Sequence, residues 1–288
     1  MKRSRVEYLF ALPAFLVFFV FFIYPFLNGF WLSLTRWNGF TDPVFIGFEN
    51  FQNIFDNPRA VNAIRNALIF AAFSAPLLNI VGLTYALLLE DTRSKLAQVT
   101  RALVYIPAII SPLIMGYVWR FIVVYGGTAH QLLELLYLDR LIFNWLAYPR
   151  VAMGFIIFIN TWQFAGMTMI IYMASLQAIP RELHEAADVD GANFWQKLIK
   201  VKLPSITPAI TINVLTNIIG SLAVFDAIVA LTDGGPGFAT ESLSIYIMRM
   251  AFGGATGFAI SVAIVMFFIT LLPVATYIFL TKKKGLAI

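Results

Sequence analysis

The sequence predicts an all-α, polytopic membrane protein: six transmembrane helices and a cytoplasmic helix–turn–helix loop. Three observations predict it. First, 60% of the 288 residues are hydrophobic and only 12% are charged, about half the ~25% charged share of an average soluble domain. Second, six long stretches carry no charge at all: residues 8–35, 66–89, 102–119, 151–180, 203–225 and 250–281. About 20 apolar residues suffice for a spanning helix, because ~30 Å of hydrocarbon is crossed at ~1.5 Å per residue. Third, the apolar stretches are continuous and do not alternate over ~10-residue segments, as the strands of a transmembrane barrel would. Mean hydropathy is +0.82. This composition excludes a soluble enzyme, a nucleic-acid-binding module and a disordered tail.

The six spans fall at about 9–32, 67–89, 102–124, 152–176, 207–230 and 258–280 of one membrane domain, residues 1–288. The first follows Lys2-Arg3-Ser4-Arg5. It is too long for a signal-peptide core and lacks a small-residue cleavage site, so it reads as a retained span. The third holds Pro107 and Pro112, and reads as one kinked helix buried where neighbours satisfy the freed carbonyls. Between the spans, Trp37-Asn38-Gly39-Phe40 marks a turn. The apolar spacing of Phe51, Ile54, Phe55, Val61 and Ile64 marks short helices along the membrane surface. Residues 125–150 suit another short helix, with His130 as a solvated loop residue. Residues 231–257 are glycine-rich, beginning Gly234-Gly235-Pro236-Gly237.

The net charge of +5 is best read through topology. With the N-terminus inside, the inner segments hold Lys2, Arg3, Arg5, Arg93, Lys95, Arg101, Arg181, Lys197, Lys200, Lys202 and Lys282 to Lys284. The outer ones hold Arg36, Arg59, Arg65, Arg120, Arg140, Arg150 and Arg249. Every lysine is inside, as the positive-inside rule requires, and an even number of spans returns the C-terminus to the cytoplasm.

No catalytic constellation is present. The chain has no P-loop and no Gly-x-Ser-x-Gly elbow. It has no cysteine, hence no disulfide, thiolate metal site or cysteine nucleophile. His184-Glu185-Ala186-Ala187-Asp188 lacks the second histidine of a zinc helix. Asp188-Val189-Asp190-Gly191 would place Lys197 where a calcium loop needs a bidentate glutamate. The sequence thus points to no metal, no cofactor and no catalytic residue in this chain.

The segment 180–204 reads as helix, turn, helix. Pro180 suits a first helical turn, and Glu182 and Glu185 complement the positive helix end. Gly191 permits the left-handed conformation that stops a helix. A second helix runs from about Ala192 to Lys202, and Pro204 marks entry to the fifth span. On pattern alone the segment is equally an ordinary amphipathic connector.

Glu185-Ala186-Ala187, Gly191 and Leu203-Pro204 are spaced as in the EAA loop of ATP-binding-cassette importer permeases: three residues, glycine, nine residues, then Ile-x-Leu-Pro. Val201 replaces the isoleucine. The chain resembles the carbohydrate-uptake branch of that family over about residues 8–281. The resemblance runs through Tyr8-Leu9-Phe10-Ala11-Leu12-Pro13, Tyr24-Pro25, Ser33-Leu34-Thr35-Arg36-Trp37, Gly47-Phe48-Glu49-Asn50-Phe51, Asn66, Phe225-Asp226 and Leu231-Thr232-Asp233-Gly234-Gly235-Pro236. It implies that Glu185, Ala186, Ala187, Gly191, Leu203 and Pro204 couple the permease to a cytoplasmic ATPase dimer, which binds the ATP and magnesium. It implies a second homologous permease, an extracytoplasmic solute-binding protein and a sugar substrate, in the cell membrane of a prokaryote, with no nucleic-acid partner. A phosphate ester, polyol or polyamine is the alternative solute. A stand-alone secondary transporter is the alternative class, and would not need the loop.

Polar groups inside spans are costly unless paired or facing a cavity. The fourth span offers Asn160, Trp162 and Gln163, the fifth Asn213, Asn217 and Ser221. The latter three, at i, i+4 and i+8, share one helix face. Amides beside an aromatic ring suit sugar recognition; the same residues equally suit hydrogen bonds between helices. Asp226, at the apolar end of the fifth span, suits a structural or gating role.

Overall fold

The computed structural model describes residues 5–90 and 94–283. Lys2, Arg3, Arg93 and Lys284, on which part of the orientation reading rests, lie outside the described residues. The helices are α1 (Arg5–Phe18), α2 (Tyr24–Ser33), α3 (Glu49–Asp56), α4 (Pro58–Leu89), α5 (Lys95–Ile109), α6 (Pro112–Val123), α7 (Thr128–Leu135), α8 (Pro149–Gln177), α9 (Arg181–Val189), α10 (Phe194–Lys197), α11 (Leu203–Ser205), α12 (Thr207–Leu222), α13 (Asp226–Leu231), α14 (Leu243–Phe252) and α15 (Thr256–Lys283). Two-residue strands β1 (Thr35–Arg36) and β2 (Val44–Phe45) pair antiparallel, Thr35 opposite Phe45.

Among the described residues, four helices are long and apolar enough to cross a membrane: Leu12–Ser33, Pro58–Leu89, Pro149–Gln177 and Thr256–Thr281. Two further spans are broken. The third, expected as one kinked helix, is α5 and α6 meeting at a 101° bend. Pro112 enters α6 in its first turn, and a residue before proline is driven out of the helical region. Ser111 (ψ 130°) is extended accordingly, and Ile110 before it is also extended (ψ 140°). The fifth, expected over 207–230, is Phe194–Ser205 and Thr207–Leu222 meeting at a 73° bend at Ile206, and it ends as α12 at Leu222. Phe225 (φ −137°) separates it from the short α13. Proline also explains two π-turns, Phe19–Ile23 and Leu198–Lys202. Pro25 and Pro204 follow them, and each withholds the N–H that the carbonyl four residues back would accept.

The chain divides into two compact units, residues 1–61 with 246–268, and 62–245 with 269–288. In the first, the hairpin turn is held by Asn38, whose Oδ1 accepts from the amides of Phe40 (3.0 Å) and Thr41 (2.9 Å). The buried Asn50 of α3 donates to the carbonyls of Ser33 (2.7 Å) and Thr35 (2.8 Å), fixing α3 to the hairpin. Gly257 of α15 donates to the Trp37 carbonyl at 2.9 Å.

In the second unit α8 is the central element. Its N-terminal half seats Met153, Ile156, Ile157 and Ile159 in a cluster with Phe70, Ile228, Leu231 and Ile245. Its C-terminal half seats Met169, Tyr172, Met173 and Leu176 with Ala86, Ile206 and Ala209. Between the clusters α8 meets α5 backbone to backbone: a β-carbon at Gly166 would lie 2.2 Å from the Val104 carbonyl oxygen. His130, expected as a solvated residue, is buried. Its Nδ1 lies 3.1 Å from the Gly126 amide and 3.0 Å from the Val124 carbonyl, and its Nε2 lies 2.9 Å from the Phe143 carbonyl. It thereby closes the loop around α7.

Candidate functional site

The segment 180–204 folds as two helical arms. Pro180 is the N-cap residue of α9 and Glu182 lies in its first turn. The helix stops in a Schellman motif: Ala192 N–H bonds to Ala187 O (2.9 Å) and Gly191 N–H to Asp188 O (3.1 Å), with Gly191 at φ 68°. A capping box then starts α10, Asn193 and Gln196 bonding each other's amides. Glu185 and Ala186 are exposed, whereas Ala187 faces inward. Leu203 packs partly buried against the second core cluster and Pro204 is exposed. The loop therefore presents a small, acidic surface on α9 and anchors its second arm in the bundle.

Four of the six expected pathway residues line one cavity of about 250 Å³: Asn160, Asn213, Asn217 and Ser221, with Thr168 and Thr216 among them and Leu78, Phe164, Met167 and Ile171 as apolar wall. Asn160 donates to Ser74 Oγ at 2.8 Å. Asn213 and Asn217 reach Thr168, at its carbonyl (3.3 Å) and hydroxyl (3.4 Å). These are long bonds, near the limit of useful geometry. Ser221 Oγ is buried with no hydrogen-bond partner among the described residues. Asn217 and Ser221 are thus weakly engaged or unpaired, whereas Asn160 is firmly bonded to Ser74.

The other two are elsewhere. Gln163 is buried and donates to the carbonyls of Pro107 (3.3 Å) and Ile110 (3.0 Å), the groups exposed by the break after α5. Trp162 packs edge-on against Trp119, ring centroids 5.4 Å apart, and is not part of the cavity wall. Asp226, expected inside the apolar end of a span, is exposed in the first turn of α13, where a carboxylate suits the positive helix end.

Sequence reasoning missed Ser74 and Thr168, since a lone hydroxyl in an apolar run carries no distinctive signal. It also missed that Lys202, counted only as an inner charge, pairs with Glu90. Burial pushes the Lys202 ammonium below the ordinary lysine value. At the opposite end of α8 a cavity of about 600 Å³ is lined by Arg65, Arg150, Asn62 and Asn66. The two amides there donate to the carbonyls of Phe238 (2.8 Å, from Asn62) and Glu241 (3.1 Å, from Asn66), pinning the glycine-rich loop. Among the described residues no group of three or more His, Asp or Glu side chains could hold a metal ion.

Residues 79–284 match the family described as the binding-protein-dependent transport system inner membrane component. The chain belongs to this family. It is 33% identical to the probable starch degradation products transport system permease protein AmyD of Thermoanaerobacterium thermosulfurigenes, over 98% of this chain and 96% of that protein. It is 31% identical to the trehalose/maltose transport system permease protein MalF of Thermococcus litoralis, over 94% and 91%. Its fold matches a crystal structure of a bacterial ABC transporter involved in the import of the acidic polysaccharide alginate, with a TM-score of 0.82 and 27% identity over 98% of this chain and 96% of that one. The chain is thus a multi-pass inner-membrane transport permease of all-α fold.

Proposed function

We propose that this permease is one subunit of an ATP-binding-cassette importer. It translocates a sugar or oligosaccharide delivered by an extracytoplasmic solute-binding protein, and is driven by a separate cytoplasmic ATPase dimer that holds the ATP and magnesium. The observation that supports this best is the juxtaposition on α8. Its middle contributes Asn160 and Thr168 to a polar cavity, and its C-terminus leads into the exposed Glu185 face of α9. A motion imposed on the loop is thereby delivered to the cavity wall. The permease relatives named for starch products and trehalose/maltose support a sugar as the solute.

Amide-rich, weakly engaged groups suit sugar hydroxyls. At about 250 Å³ the cavity falls below the ~300–1,000 Å³ of self-contained ligand pockets, in keeping with a pathway completed by a second, homologous permease. Both termini are placed in the cytoplasm, since every lysine then lies inside.

The test is reconstitution of this chain with its partner permease, ATPase and binding protein in vesicles. ATP-dependent accumulation of a labelled maltooligosaccharide, lactose or acidic oligosaccharide is expected, and none without the ATPase. Accumulation driven by an ion gradient without ATP would refute the proposal. ATP-driven uptake of a phosphate ester or polyamine, but of no sugar, would refute the substrate class alone.

A further inference from the structure

The end of α4 carries a buried ion pair that the site described above leaves without a role. Glu90, the residue after α4, pairs with Lys202, in the π-turn that precedes Leu203-Pro204. Their side chains are only 7% and 11% exposed. The adjacent Leu89 carbonyl accepts from Arg101 of α5. A helix C-terminus is the negative end of its dipole, so two cations gathered there are favourable and a lone carboxylate is not. Glu90 is tolerable at that place because Lys202 faces it.

The surroundings show what the pair connects. A polar cavity of about 470 Å³ lies between α9 and the bundle, lined by Glu90, His184, Asp188, Phe194, Lys197 and Lys202. On its far side Asp188 of α9 pairs with Lys197 of α10, holding the two arms of the loop together. The loop is continuous in sequence with α8 and α12, but Glu90 lies 112 residues from Lys202 along the chain. Across the cavity the loop therefore reaches α4 through an ionic contact. α4 in turn carries Ser74, the partner of Asn160, and Leu78 of the translocation cavity.

A buried pair is not needed for stability, since apolar replacements of similar volume are often neutral or better. What a buried pair supplies is a short, directional link that moves as one piece. We propose that Glu90 and Lys202 form the joint through which displacement of the α9–α10 loop is passed to α4, and so to the second wall of the cavity. Both are positioning residues. The inference rests on the proposal that 180–204 is the ATPase-coupling loop.

The experiment uses the complete transporter in vesicles and measures ATP hydrolysed per solute taken up, beside co-purification of the ATPase. The variants are Glu90→Gln, Lys202→Met, the charge swap Glu90→Lys with Lys202→Glu, and the neutral pair Glu90→Gln with Lys202→Met. Loss of one charge is expected to leave the ATPase attached while ATP hydrolysed per solute rises several-fold, and the swap is expected to restore the ratio. The neutral pair leaves no unpaired buried charge, so it assembles even if a single variant does not, and it is expected to be uncoupled. A neutral pair that couples like the wild type, or a swap no better than the single changes, would overturn the joint. Wild-type uptake that proceeds without ATP hydrolysis would instead overturn the coupling-loop proposal itself.

Discussion

Two glycines of one helix should respond oppositely to the same substitution. Gly154 and Gly166 both lie inside α8. In a helix interior, Gly→Ala gains about 0.8–1 kcal/mol of propensity. At Gly154 nothing stands within 4 Å of an added β-carbon, so the gain is realised. At Gly166 the β-carbon would lie 2.2 Å from the Val104 carbonyl oxygen and 2.8 Å from the Tyr105 α-carbon. These are backbone atoms of α5 and cannot rotate away, so the helices must separate by about 1 Å. Overpacking costs about 1–3 kcal/mol, and a backbone obstacle puts this case at the upper end. Net of propensity, Gly166→Ala loses about 2 kcal/mol. At roughly 2–4 °C per kcal/mol for a chain of this size, the unfolding midpoint in detergent should fall by about 4–8 °C, while Gly154→Ala holds or rises slightly. Tryptophan fluorescence during heating, with recovery of monodisperse protein after each step, reads both. The variant should also transport poorly, because Gln163, three residues earlier on the same face, would be drawn off the Pro107 and Ile110 carbonyls. Equal midpoints for the two variants would refute the close α5–α8 contact.

Asn217→Ala should raise the KM for uptake several-fold, whereas Trp162→Ala, packed on Trp119 away from the cavity, should leave KM unchanged; vesicle uptake against solute concentration separates them. Glu185→Ala and Gly191→Val should both insert normally but lose ATPase co-purification and ATP-driven uptake, the second because a left-handed residue other than glycine costs about 1–2 kcal/mol. A reporter fused after residue 284 should be cytoplasmic and one at Gly237 external; a cytoplasmic signal at Gly237 would overturn the six-span topology.

The long spans were legible because charge depletion is a bulk property of about 20 or more residues, insensitive to detail. The breaks were not. Pro107 and Pro112 were visible, yet whether a proline kinks a helix or ends it depends on what donates to the freed carbonyls. Here the donor is Gln163, more than 50 residues away. The end of α12 had no local signal at all: 223–225 is Ala-Val-Phe, and the break there is made by packing. Ala227 and Ala230 of α13 fit against Gly116 of α6, a contact between two distant segments. The loop 180–204 was the reverse case. Its glycine stop and its Asn193–Gln196 cap are local chemistry, which the sequence carries whole.

The polar residues of the spans divide by helix geometry. Four residues make slightly more than one helical turn, so on α12 positions 213, 217 and 221 drift only a little from step to step and share a face. All three line the cavity. On α8, Asn160 and Trp162 are two residues apart, more than half a turn. They point to opposite sides and cannot serve one site whatever their chemistry. Gln163, three residues on from Asn160, falls just short of a full turn. It therefore comes back toward the Asn160 side, close enough to be buried but turned to α5. Helical phase thus sorts residues that adjacency in sequence groups together. What phase cannot supply is the neighbour: an amide facing inward binds a passing solute only if no backbone carbonyl claims it first. Gln163 meets two such carbonyls, at 3.0 and 3.3 Å, because α5 ends in front of it. Asn217 meets one threonine hydroxyl at 3.4 Å, because α8 is unbroken there. The broken span engages the amide of one side chain through two carbonyls, and the unbroken one leaves its neighbour's amide weakly engaged.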